Sequence, residues 1–114
     1  MNNLQYSIVS VVIGPRMNDK INIGLILFDG TKAYYRYSNK RLTALKSFYS
    51  EKEYLFNCRV IRSLAKDSKL DSEEKINYLS RYSNNMITIS ALKPSLYPDI
   101  EKSSKVLYSS YIGK

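Results

Sequence analysis

Ten carboxylates, one thiol and no imidazole are the groups through which this chain could do acid–base or covalent chemistry. Without histidine there is no Ser-His or Cys-His nucleophile pair, nor the commonest general base at neutral pH. One Cys with no His cannot close a tetrahedral zinc site. Asp19 and Asp29 bracket the apolar segment 21–28, which as a strand holds them about 30 Å apart, too far to share a metal ion. Glu51 with Glu53, and Glu73 with Glu74, fall in first helical turns, where the helix dipole favours carboxylates without any catalytic task. Gly14, Gly24 and Gly30 each stand apart from a Gly-Lys-Ser/Thr or Gly-x-Gly-x-x-Gly sequence, so no phosphate loop is present. Cys58 lies on an apolar helix seam and reads as a buried structural thiol. A small hydrolase or nuclease built on the carboxylates is therefore the third of three functional readings, and no catalytic, cofactor or metal site is expected.

The basic residues are patterned instead. With 18 Lys+Arg against 10 Asp+Glu the net charge is +8, a balance that favours nucleic acid, an anionic membrane or an acidic protein. Arg59, Arg62, Lys66 and Lys69 recur at spacings of 3, 4 and 3 and share one helix stripe. Lys32, Arg36, Lys40, Arg41 and Lys46 run from a strand into a helix, interleaved with Tyr34, Tyr35 and Tyr37. Phosphate neutralisation beside stacking platforms is what single-stranded nucleic acid needs. The same residues also describe an ordinary sheet edge with basic stems lying over tyrosine rings. Neither an aromatic RNP motif nor a Gly-x-x-Gly clamp accompanies them.

One small domain has to hold these residues. A length of 114 residues with 44% hydrophobic content supports a single core spanning 1–114 and argues against disorder. No apolar run approaches the roughly 20 residues of a membrane helix. The start of the chain lacks a secretory signal, and one thiol builds no internal disulfide framework, so a cytoplasmic setting is expected. Residues 6–13 alternate as a strand, with Val9, Val11 and Ile13 on one face and Tyr6, Ile8, Ser10 and Val12 on the other. The polar segment 14–20 leads into residues 21–28, a second strand closing on Asp29-Gly30, a pair suited to a tight hairpin. Residues 32–37 form the third, with Lys32, Tyr34 and Arg36 opposite Ala33, Tyr35 and Tyr37. The first two strands are apolar on both faces, which predicts cover on at least part of the second side.

Helical spacing follows. Leu42, Leu45 and Phe48 stand behind a Ser38 or Asn39 cap. Leu55, Cys58, Ile61 and Ala65, widened by Leu64, follow a Ser50/Glu53 capping box. Ile76, Tyr78 and Leu79 follow Asp71 and Glu74. Residues 86–90 read as a fourth strand, and Asp99 caps a last helix carrying Ile100, Val106, Leu107 and Tyr111. This order predicts an α+β fold: a small, mainly antiparallel sheet of about four strands with two to four helices packed on it.

Within the second strand, Asn22 and Gly24 are the residues that composition does not explain. Two apart, they are expected on one strand face. Gly in a strand interior marks a bulge or a close approach by a ring, a backbone or a ligand, and Asn22 offers an amide beside that gap. The sequence Tyr6-Ser7-Ile8-Val9, a loop with Pro15 and Arg16, and the block Asn22-Ile23-Gly24-Leu25-Ile26-Leu27-Phe28 resemble the bacterial domain-of-unknown-function family 3037. So do residues 84–90 and Lys105-Val106-Leu107-Tyr108 through Tyr111-Ile112. Ser10 stands where many members carry Arg, and Lys20 where an acidic residue is common. Members are often encoded beside HipA-like kinases. The resemblance therefore implies a small partner or regulator of such a kinase in a toxin–antitoxin or phage-defence setting, and it assures no activity.

Two readings lead. One is a non-catalytic interaction module contacting a protein through Asn22, Gly24, Tyr34, Tyr35 and Tyr37. The other is a nucleic-acid-binding module using Lys32, Arg36, Lys40, Arg41, Lys46, Arg59, Arg62, Lys66 and Lys69. No cofactor and no membrane association are expected.

Overall fold

The computed structural model describes residues 4–13, 19–30, 32–64, 87–97 and 99–113. Three consecutive strands open the chain: β1 (Gln5–Val12), β2 (Lys20–Phe28) and β3 (Ala33–Tyr37). They pair antiparallel in sequence order, since their connections are too short for a crossover. Gly30 takes φ +104° in the second turn, a left-handed value that a residue with a Cβ resists. Asp29 braces that turn twice. Its N–H donates to the Lys32 carbonyl at 3.1 Å, and its Oδ1 accepts from the Lys32 N–H at 2.7 Å. Two short strands, β4 (Ile87–Ile89) and β5 (Lys93–Pro94), share the far side of β1. The sheet order is β3-β2-β1-β4, with β5 also on β1. The architecture is α+β with a mainly antiparallel sheet, as expected. The additional strand β5 is two residues long and ends on Pro94, too short for any alternation to announce it.

Helices cover both faces. The Ser38 Oγ accepts from the Arg41 N–H at 3.1 Å and starts α1 (Asn39–Ala44), which tightens into a 3-10 turn over Leu45–Ser47. Ser50 and Glu53 form a complete capping box that opens α2 (Glu51–Ser63). Val9, Val11, Ile23, Ile26 and Phe28 of the sheet meet Leu42, Leu45, Cys58, Ile61 and Leu64 in the main core. Asp99 caps α3 (Ile100–Tyr111). Leu107, Tyr108 and Ile112 then pack on Leu4, Ile8, Leu25 and Leu27 from the opposite side. Two covered faces explain why β1 and β2 carry apolar residues on both faces.

Three expectations change. Leu55 is 52% exposed while Asn57 is fully buried at 0%. At 3.6 residues per turn Leu55 lies about 120° round the helix from Ile61, whereas Asn57, one turn before Ile61, shares its face. The buried stripe is therefore Asn57, Cys58, Ile61 and Leu64. Phe48 is likewise exposed, because the 3-10 turn ends the helical register before it. Finally, a β-bulge breaks the β1–β2 register. Gly24 pairs with Val9 and Asn22 with Ser10, which leaves Ile23 without a partner. Ile23 and Gly24 consequently point to the same side, toward α2, and Asn22 points to the other, toward α3. Asn22 and Gly24 do not share a face, because the bulge inserts the one residue that reverses the alternation. The helix expected around Ile76, Tyr78 and Leu79, the basic residues Lys66 and Lys69, Ala65, Met86 and the loop with Pro15 and Arg16 lie outside the described residues.

Candidate interaction surface

β3 is an edge strand. Its inner side pairs with β2 from Ala33 opposite Phe28 to Tyr37 opposite Gly24. No strand lines its outer side among the described residues. Two bonds bracket it: Asp29 N–H to the Lys32 carbonyl and Ser38 N–H to the Ile23 carbonyl. Opposed residues in an antiparallel ladder alternate between bonded and non-bonded pairs, so these two bonds fix the phase. Lys32, Tyr34, Arg36 and Ser38 turn their backbone groups toward β2. Ala33, Tyr35 and Tyr37 turn theirs outward, where unpaired N–H and C=O groups form a template for another strand.

The side chains of β3 divide between the two faces. Tyr34 and Arg36 stand on the α3 side. The Arg36 guanidinium carbon lies 3.9 Å from the centroid of the Tyr108 ring, and the Lys32 ammonium lies 5.3 Å from that of Tyr34. Both contacts are within cation–π range. Between α3 and the β2–β3 hairpin runs a cleft of about 620 Å³, lined by Leu25, Leu27, Tyr34, Arg36, Ile100 and Lys105 among others. Leu25 and Leu27 are its buried apolar part, and Arg36, Glu101 and Lys105 bring charge to its border.

Tyr35 goes the other way. Its ring crosses Gly24, where an added Cβ would lie 3.0 Å from Cε1 and 3.2 Å from the hydroxyl oxygen. The hydroxyl donates to the Ile61 carbonyl at 3.0 Å, one of the acceptors that the C-terminal end of a helix leaves unsatisfied. Burial, with a smaller contribution from Tyr37, pushes this hydroxyl well above the usual tyrosine range, so it stays a donor. Tyr37 packs beside Tyr35 with ring centroids 5.5 Å apart. Gly24 thus answers a packing need, since its gap is filled by the chain's own ring. Asn22 is engaged internally as well. Its Oδ1 accepts from the Ser10 hydroxyl at 2.8 Å, and its Nδ2 donates to the Tyr111 carbonyl at 3.0 Å. Of the five residues expected at a protein contact, Tyr34 lines the cleft, Tyr35 and Tyr37 present their backbone at the edge, and Asn22 and Gly24 bind the sheet to its own helices.

The basic candidates scatter. Lys32 and Arg36 belong to the α3 side. The Arg41 Nη1 donates to the Asn22 carbonyl at 3.1 Å and ties α1 to β2, while Lys40 beside it is exposed. Lys46 lies 5.5 Å over the Tyr54 ring. Arg59 and Arg62 border a shallow depression with Leu55 and Cys58 on α2, across the sheet from Arg36. The described members of the two groups therefore do not form one surface. Asp19 and Asp29 flank β2 at opposite ends, and the described residues hold no cluster of three or more potential metal ligands. No helix among them is long and apolar enough to cross a membrane. Sequence reasoning missed the α3 wall of the cleft, although Ile100 and Ser104, and Glu101 and Lys105, stand four residues apart and so share one stripe.

These features define a small α+β domain with an open sheet edge beside an apolar cleft. No protein-family model matches the chain, and no curated protein or solved structure does either.

Proposed function

We propose that this chain is a non-catalytic interaction module that binds a protein partner by taking an extended segment of it onto β3. The observation that carries this reading is the outward-turned backbone of Ala33, Tyr35 and Tyr37 beside the cleft at Tyr34. In strand addition the main-chain bonds supply affinity, and pockets for alternate side chains supply selectivity. The family resemblance makes a HipA-like kinase the first partner to test.

Co-purification from the native host, followed by amide hydrogen exchange on the complex, tests the proposal. Binding is expected to protect the Ala33, Tyr35 and Tyr37 amides. Ala33→Pro removes an outward donor without breaking a β2 bond, and it should release the partner while the domain stays folded. Recovery of the chain alone overturns the reading. So does a partner that leaves those amides unprotected and tolerates Ala33→Pro.

A further inference from the structure

On its α3 side the β3 edge reads cation, ring, cation. Lys32, Tyr34 and Arg36 alternate along the chain, so at strand rise the two cations are rooted about 13 Å apart with Tyr34 midway between them. The Lys32 ammonium lies against the Tyr34 ring and the Arg36 guanidinium against the Tyr108 ring. All three residues of the row are exposed. Among the described residues, the cleft beside them takes its lining from β2, β3 and α3 alone, with Leu25, Leu27 and Ile100 as its aliphatic part. It therefore opens toward the free edge.

Charge at this mouth is one-sided. Arg36 and Lys105 have no ion-pair partner among the described residues. Lys105 stands three residues before Tyr108 on α3, the residue whose ring carries the Arg36 guanidinium, so both cations border the same part of the cleft. Glu101 is the one carboxylate among the described lining residues. It belongs to the first turn of α3, where the helix dipole accounts for it. Asp29, the carboxylate nearest to Lys32 in the chain, is engaged by the Lys32 N–H at 2.7 Å.

A strand added at β3 meets this row one residue at a time. Ala33, Tyr35 and Tyr37 bond it through their outward backbone groups, and its residues opposite Lys32, Tyr34 and Arg36 stand beside them on the α3 side. Opposite charges in such cross-strand positions attract and like charges repel. A side chain opposite Tyr34 is the one placed at the mouth of the cleft. On the strand-addition reading, on which this rests, we infer that the partner's segment is acidic and patterned: Asp or Glu at one position, an apolar residue two further on, and Asp or Glu two beyond that. The pattern reads the same in both directions, so it holds for parallel and antiparallel addition alike. A helix with the same sequence sets its two carboxylates one turn and about 6 Å apart, too close to face both cations. Single-stranded nucleic acid also answers the positive charge, but the outward row of N–H and C=O groups is matched by a peptide strand.

Three acetylated and amidated peptides test it: Thr-Glu-Thr-Leu-Thr-Glu-Thr, and the same peptide with Gln or with Lys in place of both Glu. Each is titrated into the isotope-labelled chain at low salt, alongside oligothymidylate, and amide shifts and amide exchange are followed. The Glu peptide should bind about tenfold more tightly than the Lys peptide, with the Gln peptide between them. It should shift the Tyr34 and Arg36 amides and slow exchange at Ala33, Tyr35 and Tyr37. The preference should shrink as salt rises. Lys32→Glu/Arg36→Glu should reverse the order of the peptides. Lys32→Glu alone leaves the Arg36–Tyr108 contact in place and should narrow the preference to about threefold. Equal binding of the three peptides with the edge amides protected overturns the acidic pattern and leaves strand addition standing. A Glu peptide that binds without protecting those amides overturns both. Oligothymidylate binding the same residues more tightly than the Glu peptide, or no binding by any peptide, overturns this inference alone, because the co-purified partner is the test of strand addition.

Discussion

Gly24→Ala asks how much of this fold depends on one missing methyl group. A Cβ at this position lies 3.0 Å from Tyr35 Cε1, 3.1 Å from the Arg36 carbonyl oxygen and 3.2 Å from the Tyr35 hydroxyl. Carbon atoms settle at about 3.5–4.0 Å, so the ring has to move by about half an ångström or more. Little around it can yield. The Arg36 carbonyl belongs to the β2–β3 ladder, and the far end of Tyr35 is held by its 3.0 Å bond to the Ile61 carbonyl. Overpacking of this kind costs about 1–3 kcal/mol. Straining the hydroxyl bond adds about 1 kcal/mol, and the stiffer unfolded chain gives back about 0.5–1 kcal/mol. The net expectation is a loss of about 2 kcal/mol, or a fall of about 8 °C in Tm for a domain of this size. Urea unfolding followed by circular dichroism measures it. A double-mutant cycle with Tyr35→Leu isolates the cause: in that background the cost of Gly24→Ala should shrink by about 1 kcal/mol. A Gly24→Ala variant within about 0.5 kcal/mol of the parent, or an equal cost in both backgrounds, would refute the claim that the Tyr35 ring is what requires glycine.

Further predictions address other parts of the molecule. Because the folded Tyr35 hydroxyl titrates above its ordinary value of 10.0, its contribution to stability is complete below about pH 10 and is lost as pH rises toward the folded value. Stability should therefore decline more steeply above about pH 10 in the parent than in Tyr35→Phe, and parallel curves would argue against it. Asn22→Ala strips the Tyr111 carbonyl of its donor, so it should cost about 1–2 kcal/mol and speed amide exchange in the last turn of α3 but not in α2. Asn57 is fully buried, with neither amide atom partnered among the described residues; Asn57→Leu should stabilise by about 1 kcal/mol, and destabilisation would show that the amide is in use. Since Lys32 and Arg36 lie across the sheet from Arg59 and Arg62, single-stranded DNA should bind with a slope of log K against log salt no steeper than about −2. A steeper slope would restore a continuous basic surface.

Most of the fold's local chemistry is legible in the residues. Ser38, Ser50 with Glu53, and Asp99 each cap the helix expected of them, because capping is settled within three residues of chain. The period-two alternation of β1 and the Asp29-Gly30 turn are local in the same sense. What escapes is set by partners distant in sequence. The bulge at Ile23 depends on how β1 lies against β2, and it moves Asn22 and Gly24 to opposite faces. The phase of α2 depends on where the sheet lies, so a buried Asn57 displaces the apolar Leu55. The cleft exists only because α3, far along the chain, packs beside β3. Its α3 wall of Ile100, Glu101, Ser104 and Lys105 follows helical spacing, but nothing local says what it would face.

The two margins of the sheet are unlike. β3 offers five residues of open strand, whereas the far side of β1 is divided between three residues of β4 and two of β5, the last of them Pro94. Among the described residues, pairing that enters at β3 finds no matching run at the opposite margin from which to continue. Two copies meeting through β3 would be related by a two-fold axis, and the contact would close on itself. If β3 takes up a strand as proposed, the addition would end there with a fixed stoichiometry, the broken margin of the described sheet acting as a stop against open-ended stacking of one sheet on the next.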